Sequence, residues 1–283
     1  MLCMRRNLKA TLSVEMHQAL EDLAHEKGWR VEAQRTTRRL ASAKSKATSQ
    51  AAKVEFAKGL VKQYGNFLKD ANRKRLRKGI LEIIHFLPPH VISKLEIRLD
   101  CSHNNPLALA QALSKRVIFV PQKEFQELSI LLYGKKGREP SACAFRGYAF
   151  LSLKQRPKEK AYGTTPHEVM HVVRMIANLS FGFVQDEALA VSLGLFASAH
   201  KSPRMREIML SQGREKYLGR RDSKEYVDAV NLGRKAFLQV LQLEQVHGIK
   251  TARRFFHELF LAKEFNSGVI SQAAQTAKQE ALN

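Results

Sequence analysis

Cysteine is scarce in this chain. Cys3, Cys101 and Cys143 are the only three, an odd and scattered set with no Cys-x-x-Cys pair. That excludes a disulfide framework and points to a reducing, cytoplasmic setting, with Cys143 as a small core residue. Long apolar runs are missing too, so no transmembrane segment is expected. The opening MLCMRRNLKATLSVEMHQ contains no apolar stretch of signal-peptide length and meets an acid early, at Glu15. Arg35 to Ser49 is basic, rich in Ser and Ala and free of acid, but it lies too deep for a typical presequence. Acidic residues are few: 26 Asp and Glu stand against 48 Lys and Arg, giving a net charge of +22. Such a field attracts phosphates, acidic proteins or anionic lipid and carries no information about fold.

Hydrophobic residues make up 44% of the 283, which suits a folded chain of one large or two small domains. Residues 1–85 read as a basic, mostly helical N-terminal region holding 19 Lys/Arg and 8 Asp/Glu, half of the net charge. Ser13 to Lys27 and Val54 to Ile84 show near-helical apolar spacing. The run Arg73-Lys74-Arg75-Leu76-Arg77-Lys78 reads either as a solvated helix face or as a polyanion contact. Aromatics in this region are sparse (Trp29, Phe56, Tyr64, Phe67), and no zinc finger, RRM signature or helix-turn-helix is evident. Leu87-Pro88-Pro89 breaks the pattern. After it, Leu95, Ile97 and Leu99 alternate with charged residues and predict a half-buried strand. Pro106 to Lys115 and Glu124 to Tyr133 predict helices, and Arg116 to Val120 a strand. The stretch GKKGREP predicts a loop. Phe145 to Leu153 predicts a further strand, followed by a basic loop over Lys154 to Lys160. Beyond about Lys201 the chain reads as helical, most clearly at Ala229 to Val246 and Thr251 to Lys263. The expected division is 1–85, 86–200 and a helical C-terminal subdomain at 201–283, in the α+β class.

One short stretch carries chemistry. TTPHEVMHVV contains His-Glu-x-x-His at 167 to 171. On a helix, residues four apart share a face, so His167 and His171 can present both imidazoles to one metal ion. Glu168 lies about 100° round the helix, from where it can reach a metal-bound water without being a ligand. Thr165 as N-cap, Pro166 at N1 and Glu168 at N3 make a capping box, so Glu168 has a purely local role open to it as well. By average residue usage the motif arises by chance on the order of once per hundred chains of this length. A third ligand therefore matters. FGFVQDEALAVSLGLF, at Phe181 to Phe196, contains Asp186 and Glu187 in an otherwise uncharged segment. An unpaired buried charge is costly, so a carboxylate there needs a partner unless the pair merely caps the helix. Glu187 shares a helical face with the compact Ala190, Val191 and Gly194, and Asp186 points about 100° away.

HEVMH followed by QDEALAVSLG resembles the gluzincin metallopeptidases, within the broad peptidase MA-like group, over roughly Val91 to Ala197. The resemblance implies a zincin-like fold: a small twisted sheet packed on the helix that bears the motif, followed by C-terminal helices. It implies Zn2+ held by His167, His171 and Glu187, with Glu168 as general base and acid in peptide hydrolysis. GYAFLSL resembles the family's edge strand, along which a peptide substrate lies by strand addition. In the family a second donor for the oxyanion often comes from the C-terminal helices; Tyr226 is the candidate, with Tyr217, His200 and His247 as competitors. Pro166 before the first histidine and Ala188 in place of a common glycine depart from the pattern without removing a chemical group. The competing expectation is a nucleic-acid-associated protein whose basic N-terminal region binds a polyanion and whose zincin domain is secondary.

Overall fold

A computed structural model describes residues 50–66, 70–133, 142–153, 158–218 and 222–282. The expectations for residues 1–49 and for the GKKGREP loop lie outside these. The chain divides into two compact units, Met1–Phe56 and Ala57–Asn283. Of the first, residues 50–56 are described, and they are helical. The second opens with helix over 57–64 and continues with α1, Asp70–Ile84. Ile80, Ile83 and Ile84 of α1 share one core with Val169 and Leu189. In its basic run Lys74, Arg75 and Lys78 are exposed, and an Arg73 guanidinium N–H donates back to the Gly65 carbonyl.

Pro88 and Pro89 end one helix and start the next. α2 spans Pro89–Leu99, with Pro89 in the first turn, where its missing N–H costs nothing. The strand expected at Leu95 to Leu99 is therefore a helix. Val91 and Leu95, four apart, are fully buried, while Ile97 is 71% exposed. The apolar face follows a period of 3.6, and three alternating residues were too few to tell that from 2. α3, Pro106–Ser114, is capped by the Asn105 side chain, which accepts from the Ala108 N–H. β1, Val117–Val120, and α4, Gln122–Tyr133, follow.

The expected strand Phe145 to Leu153 is in fact a hairpin. β2, Ala142–Phe145, turns at Arg146-Gly147 into β3, Tyr148–Ser152. Both turn residues have positive φ, 51° and 75°, which matches the right-handed twist of the two strands. The sheet order is β1-β3-β2, parallel between β1 and β3 and antiparallel between β2 and β3. β3 is thus central with both edges paired, so no peptide can add along 148–152 as the sequence suggested. The free edges among the described strands are β1 and β2. Ala149 and Phe150 are fully buried, as a strand covered on both faces should be.

α5, Lys158–Ala177, carries HEVMH and packs against β2 and β3. It starts two turns earlier than expected and runs through Pro166. Residues 158–161, Lys-Glu-Lys-Ala, are good helix formers and extend the helix across a position that cannot donate to residue 162. The capping box at Thr165 and Glu168 does not form. α6, Phe183–Ala199, is buried along most of its length, including Gln185, Glu187 and Ala188. Its N-cap is Gly182, without a side-chain cap, so Asp186 and Glu187 do not cap it. α7 (Pro203–Arg214), α8 (Lys224–His247), α9 (Ile249–Leu261) and α10 (Ser267–Leu282) complete a mostly helical α+β architecture. Among the described residues no helix is long and apolar enough to cross a membrane.

Three contacts hold α6 in place. Its far end is clamped by edge-to-face rings: Phe196 lies 4.9 Å from Phe86 and 5.6 Å from Phe256, centroid to centroid. At its start the Gln185 amide donates to the Ala262 carbonyl at 2.8 Å, just past α9. In between, α8 crosses it at Gly233, where an added Cβ would stand 2.6 Å from the Ala188 carbonyl oxygen and 2.7 Å from Val191 Cβ. Gly233→Ala should therefore force the two helices apart and destabilise the fold by about 1–3 kcal/mol. A urea midpoint equal to that of the parent chain would contradict this packing.

Candidate metal centre

α5 places His167 and His171 on one face, a turn apart, with ring planes at 83° and centroids 4.8 Å apart. Their Nε2 atoms are 3.1 Å from each other. α6 brings Glu187 against both: one carboxylate oxygen is 3.3 Å from His167 Nε2 and the other 3.5 Å from His171 Nε2. Among the described residues these three form the one group with donor atoms close enough to share a cation. Two of the three are intermediate in burial, and Glu187 is 6% exposed.

The spacing is informative. Four ligands at the usual zinc bond length of about 2.0–2.1 Å stand about 3.3 Å apart along the edges of a tetrahedron. The three contacts here bracket that edge. One Glu187 oxygen is also buried without a hydrogen-bond partner, which a cation would satisfy. Asp186, the neighbour on α6, turns to the other side of His171: its carboxylate lies 3.0 Å from Nδ1. An Nδ1–H donated there leaves Nε2 as the ring nitrogen that faces Glu187 and His167, the arrangement that orients a metal-ligating histidine. Arg174, one turn after His171, pairs with the same Asp186 oxygen at 2.8 Å. Sequence reasoning did not single out Arg174; its spacing of seven from His167 on the same helix was the available signal.

Charge within the cluster follows from burial and neighbours. Burial pushes the His167 pKa down to about 4, against the pull of Glu187 and with His171 adding to the fall. Burial opposes the imidazolium of His171 as well, but its hydrogen bonds to Asp186 and Glu187 outweigh that and push it up to about 10. Burial would raise Glu187; the two histidines prevail and hold it below the usual carboxylate range. Glu168, 7% exposed, is pushed up to about 7 by burial first; His171 opposes the shift, and the charges of Glu187 and Asp186 add to it. A carboxylate poised there accepts and returns a proton near neutral pH.

Tyr226 lies in the first turn of α8, its ring against Phe183 and Tyr217. Its pKa is raised by desolvation first and then by Glu187, with Glu168 also contributing, so the hydroxyl stands within the field of the cluster and stays protonated. Tyr217 instead donates its hydroxyl to Asp222. His200 caps the opposite end of α6, about 20 Å along the axis from Glu187, and pairs with Glu244 at 3.1 Å. His247 ends α8, about 30 Å from Tyr226 along that helix. Neither histidine belongs to the centre. Tyr133, at the end of α4, was not anticipated. It is 56% exposed, and its hydroxyl pKa is raised by desolvation first, then by Cys143, Glu168, Glu187 and Tyr226. Cys143, buried on β2 as expected, has its thiol raised by desolvation and by Glu168.

At pH 8 this cluster holds one ligand proton, on His171, while His167 is neutral and Glu168 and Glu187 are ionised. Loading zinc should therefore release about one proton per chain. Titration calorimetry in two buffers of different ionisation heat reads that number; ionisation of a zinc-bound water adds to it, and a value near zero would contradict the protonation pattern. Comparison with protein-family models, curated proteins and solved structures finds no match to this chain.

Proposed function

We propose that this protein is a zinc-dependent metallopeptidase with a zincin-like catalytic core, in which His167, His171 and Glu187 hold the metal. The observation that carries the proposal is the triangle of three donors at tetrahedral-edge spacing, with Asp186 fixing the tautomer of His171. Bound there, zinc supplies Lewis acidity toward water and a carbonyl. The chain's own residues do the rest. Glu168 is one residue from His167, buried and poised near pH 7, and it takes the proton of the attacking water and delivers it to the leaving amine. Tyr226, kept protonated, donates a hydrogen bond to the oxygen on which charge develops. Among the described residues β2 is a free sheet edge that contacts α5, and its Cys143 lies in the field of Glu168. A peptide added to that edge would receive backbone hydrogen bonds beside the cluster. Recruitment of a polyanion by the basic N-terminal region is a separate proposal, favoured by the net charge of +22 and by exposed Lys74, Arg75 and Lys78.

The deciding test pairs elemental analysis with a peptide-cleavage screen. The full chain should carry one zinc and lose it in His167→Ala. Glu168→Gln should keep the metal and lose hydrolysis by about 10²–10⁴-fold, because the amide fits but cannot accept a proton. Cleavage by Glu168→Gln at the parent rate would remove Glu168 from the chemistry.

The two neighbouring carboxylates should separate cleanly. Glu187→Ala should abolish tight zinc binding, whereas Asp186→Ala should weaken it by about 10–100-fold, as loss of a group behind a ligand does. Competition against a chelator measures both. The reverse order of severity would exchange their roles.

A further inference from the structure

At the turn end of the β2–β3 hairpin lies an open cleft of about 650 Å³, lined by Arg98, Arg116, Arg146, Phe145, Met175 and Ile176, together with Gly147. Three arginines and no carboxylate face it. Among the described residues, none of the three guanidinium groups lies within ion-pair distance of an acid. Each is mounted on a different ordered element: the last turn of α2, the residue before β1, and the hairpin turn. The guanidinium of Arg116 lies 4.7 Å above the Tyr148 ring, which holds it by a cation–π contact.

Arg146 is the telling residue. It occupies the first central position of a two-residue turn with φ 51°, a left-handed conformation that asparagine, aspartate or glycine enters at less cost. An arginine held there against local preference marks a side chain wanted at that place. Arg98 also complements the negative end of α2, but Arg116 and Arg146 lie on no helix and have no such use. The Gly147 N–H donates only to the Met175 thioether, 3.5 Å away, a weak acceptor that an anionic oxygen would outcompete.

The cleft's position relates it to the metal centre. Met175 and Ile176 lie about one helical turn beyond His171 on α5. Along β2, Cys143 lies in the field of Glu168, and Arg146 is three residues on, about 10 Å away. An extended peptide on the β2 edge that passes the cluster therefore reaches Arg146 two to four residues from the reacting bond, at the mouth of the cleft that Arg116 and Arg98 also line. We propose that this cleft is a specificity subsite that binds acidic side chains of a peptide substrate. As a subsite it rests on the peptidase reading; as a binding site for an acidic peptide it stands on the cleft alone. Guanidinium forks match carboxylates in pairs, and the apolar floor of Phe145, Met175 and Ile176 suits the side-chain stems.

The test uses the full chain carrying Glu168→Gln, so that no turnover interferes. Two fluorescein-labelled nonapeptides are compared by anisotropy at 150 mM salt, alike except that one carries three glutamates where the other carries three glutamines. The glutamate peptide should bind at least about tenfold more tightly. Replacing Arg98, Arg116 and Arg146 together by Gln should remove that preference, while the same loss of charge at Lys74, Arg75 and Lys78 should leave it within about twofold. Equal loss in both triple variants would reduce the effect to net charge and overturn the proposal. So would a cleft variant that loses affinity for a random DNA duplex and keeps its preference for the acidic peptide. Melting curves of both variants establish that the fold survives. Because the preference depends on the cleft and not on the metal, a chain that fails to take up zinc yet shows the preference ends the peptidase reading and leaves the acidic-peptide cleft standing.

Discussion

Glu187 is a carboxylate on a helix that buries mostly apolar side chains, and such a charge is tolerated only if something positive meets it. The geometry around it follows from that constraint. Two imidazoles from α5 converge on its oxygens, Asp186 backs one imidazole, and Arg174 balances Asp186. The chain of contacts alternates in sign from Arg174 through Asp186 and His171 to Glu187. A proton on His171 supplies the positive charge; a divalent ion held there would replace it with more charge and a fixed direction.

Such an arrangement is only as good as the helices that carry it. A shift of α6 by a fraction of an ångström would open the 3.3 and 3.5 Å contacts on Glu187. The molecule holds α6 at both ends and in the middle, by the Phe86–Phe196–Phe256 rings, the Gln185 amide on the end of α9, and the close crossing with α8 at Gly233. Each contact joins residues far apart in sequence, which makes the register of α6 against α5 a property of the whole second unit.

The same packing sets the electrostatics. Burial raises Glu168 toward neutrality and keeps Tyr226 protonated, so one group is ready to move a proton and the other to donate a hydrogen bond. The excess of basic residues is not spread evenly over the surface: part of it gathers at a hairpin turn, where an unfavoured backbone conformation holds an arginine.

The histidine pair was legible because an i, i+4 spacing is a local property of a helix, and Glu187 was legible because an acid in an apolar run has to find a partner. Tyr226 rested on the resemblance alone, and packing put it in the field of the cluster. Other features were hidden for definite reasons. The alternation at Leu95 to Leu99 satisfied two periods at once, and contact of α2 with α5 decided between them. The hairpin went unseen because Arg-Gly is not the usual chemistry of a two-residue turn. Thr165 looked like a helix start because Pro166 usually marks one, yet the helix formers before it carry α5 through. By itself, then, the sequence determined which donor atoms are available and on which helices, since composition and period need only neighbours along the chain. The tertiary structure alone decided which carboxylate faces Nε2 and which faces Nδ1, and where the arginines gather, because those choices depend on how distant helices cross and on where a hairpin turns.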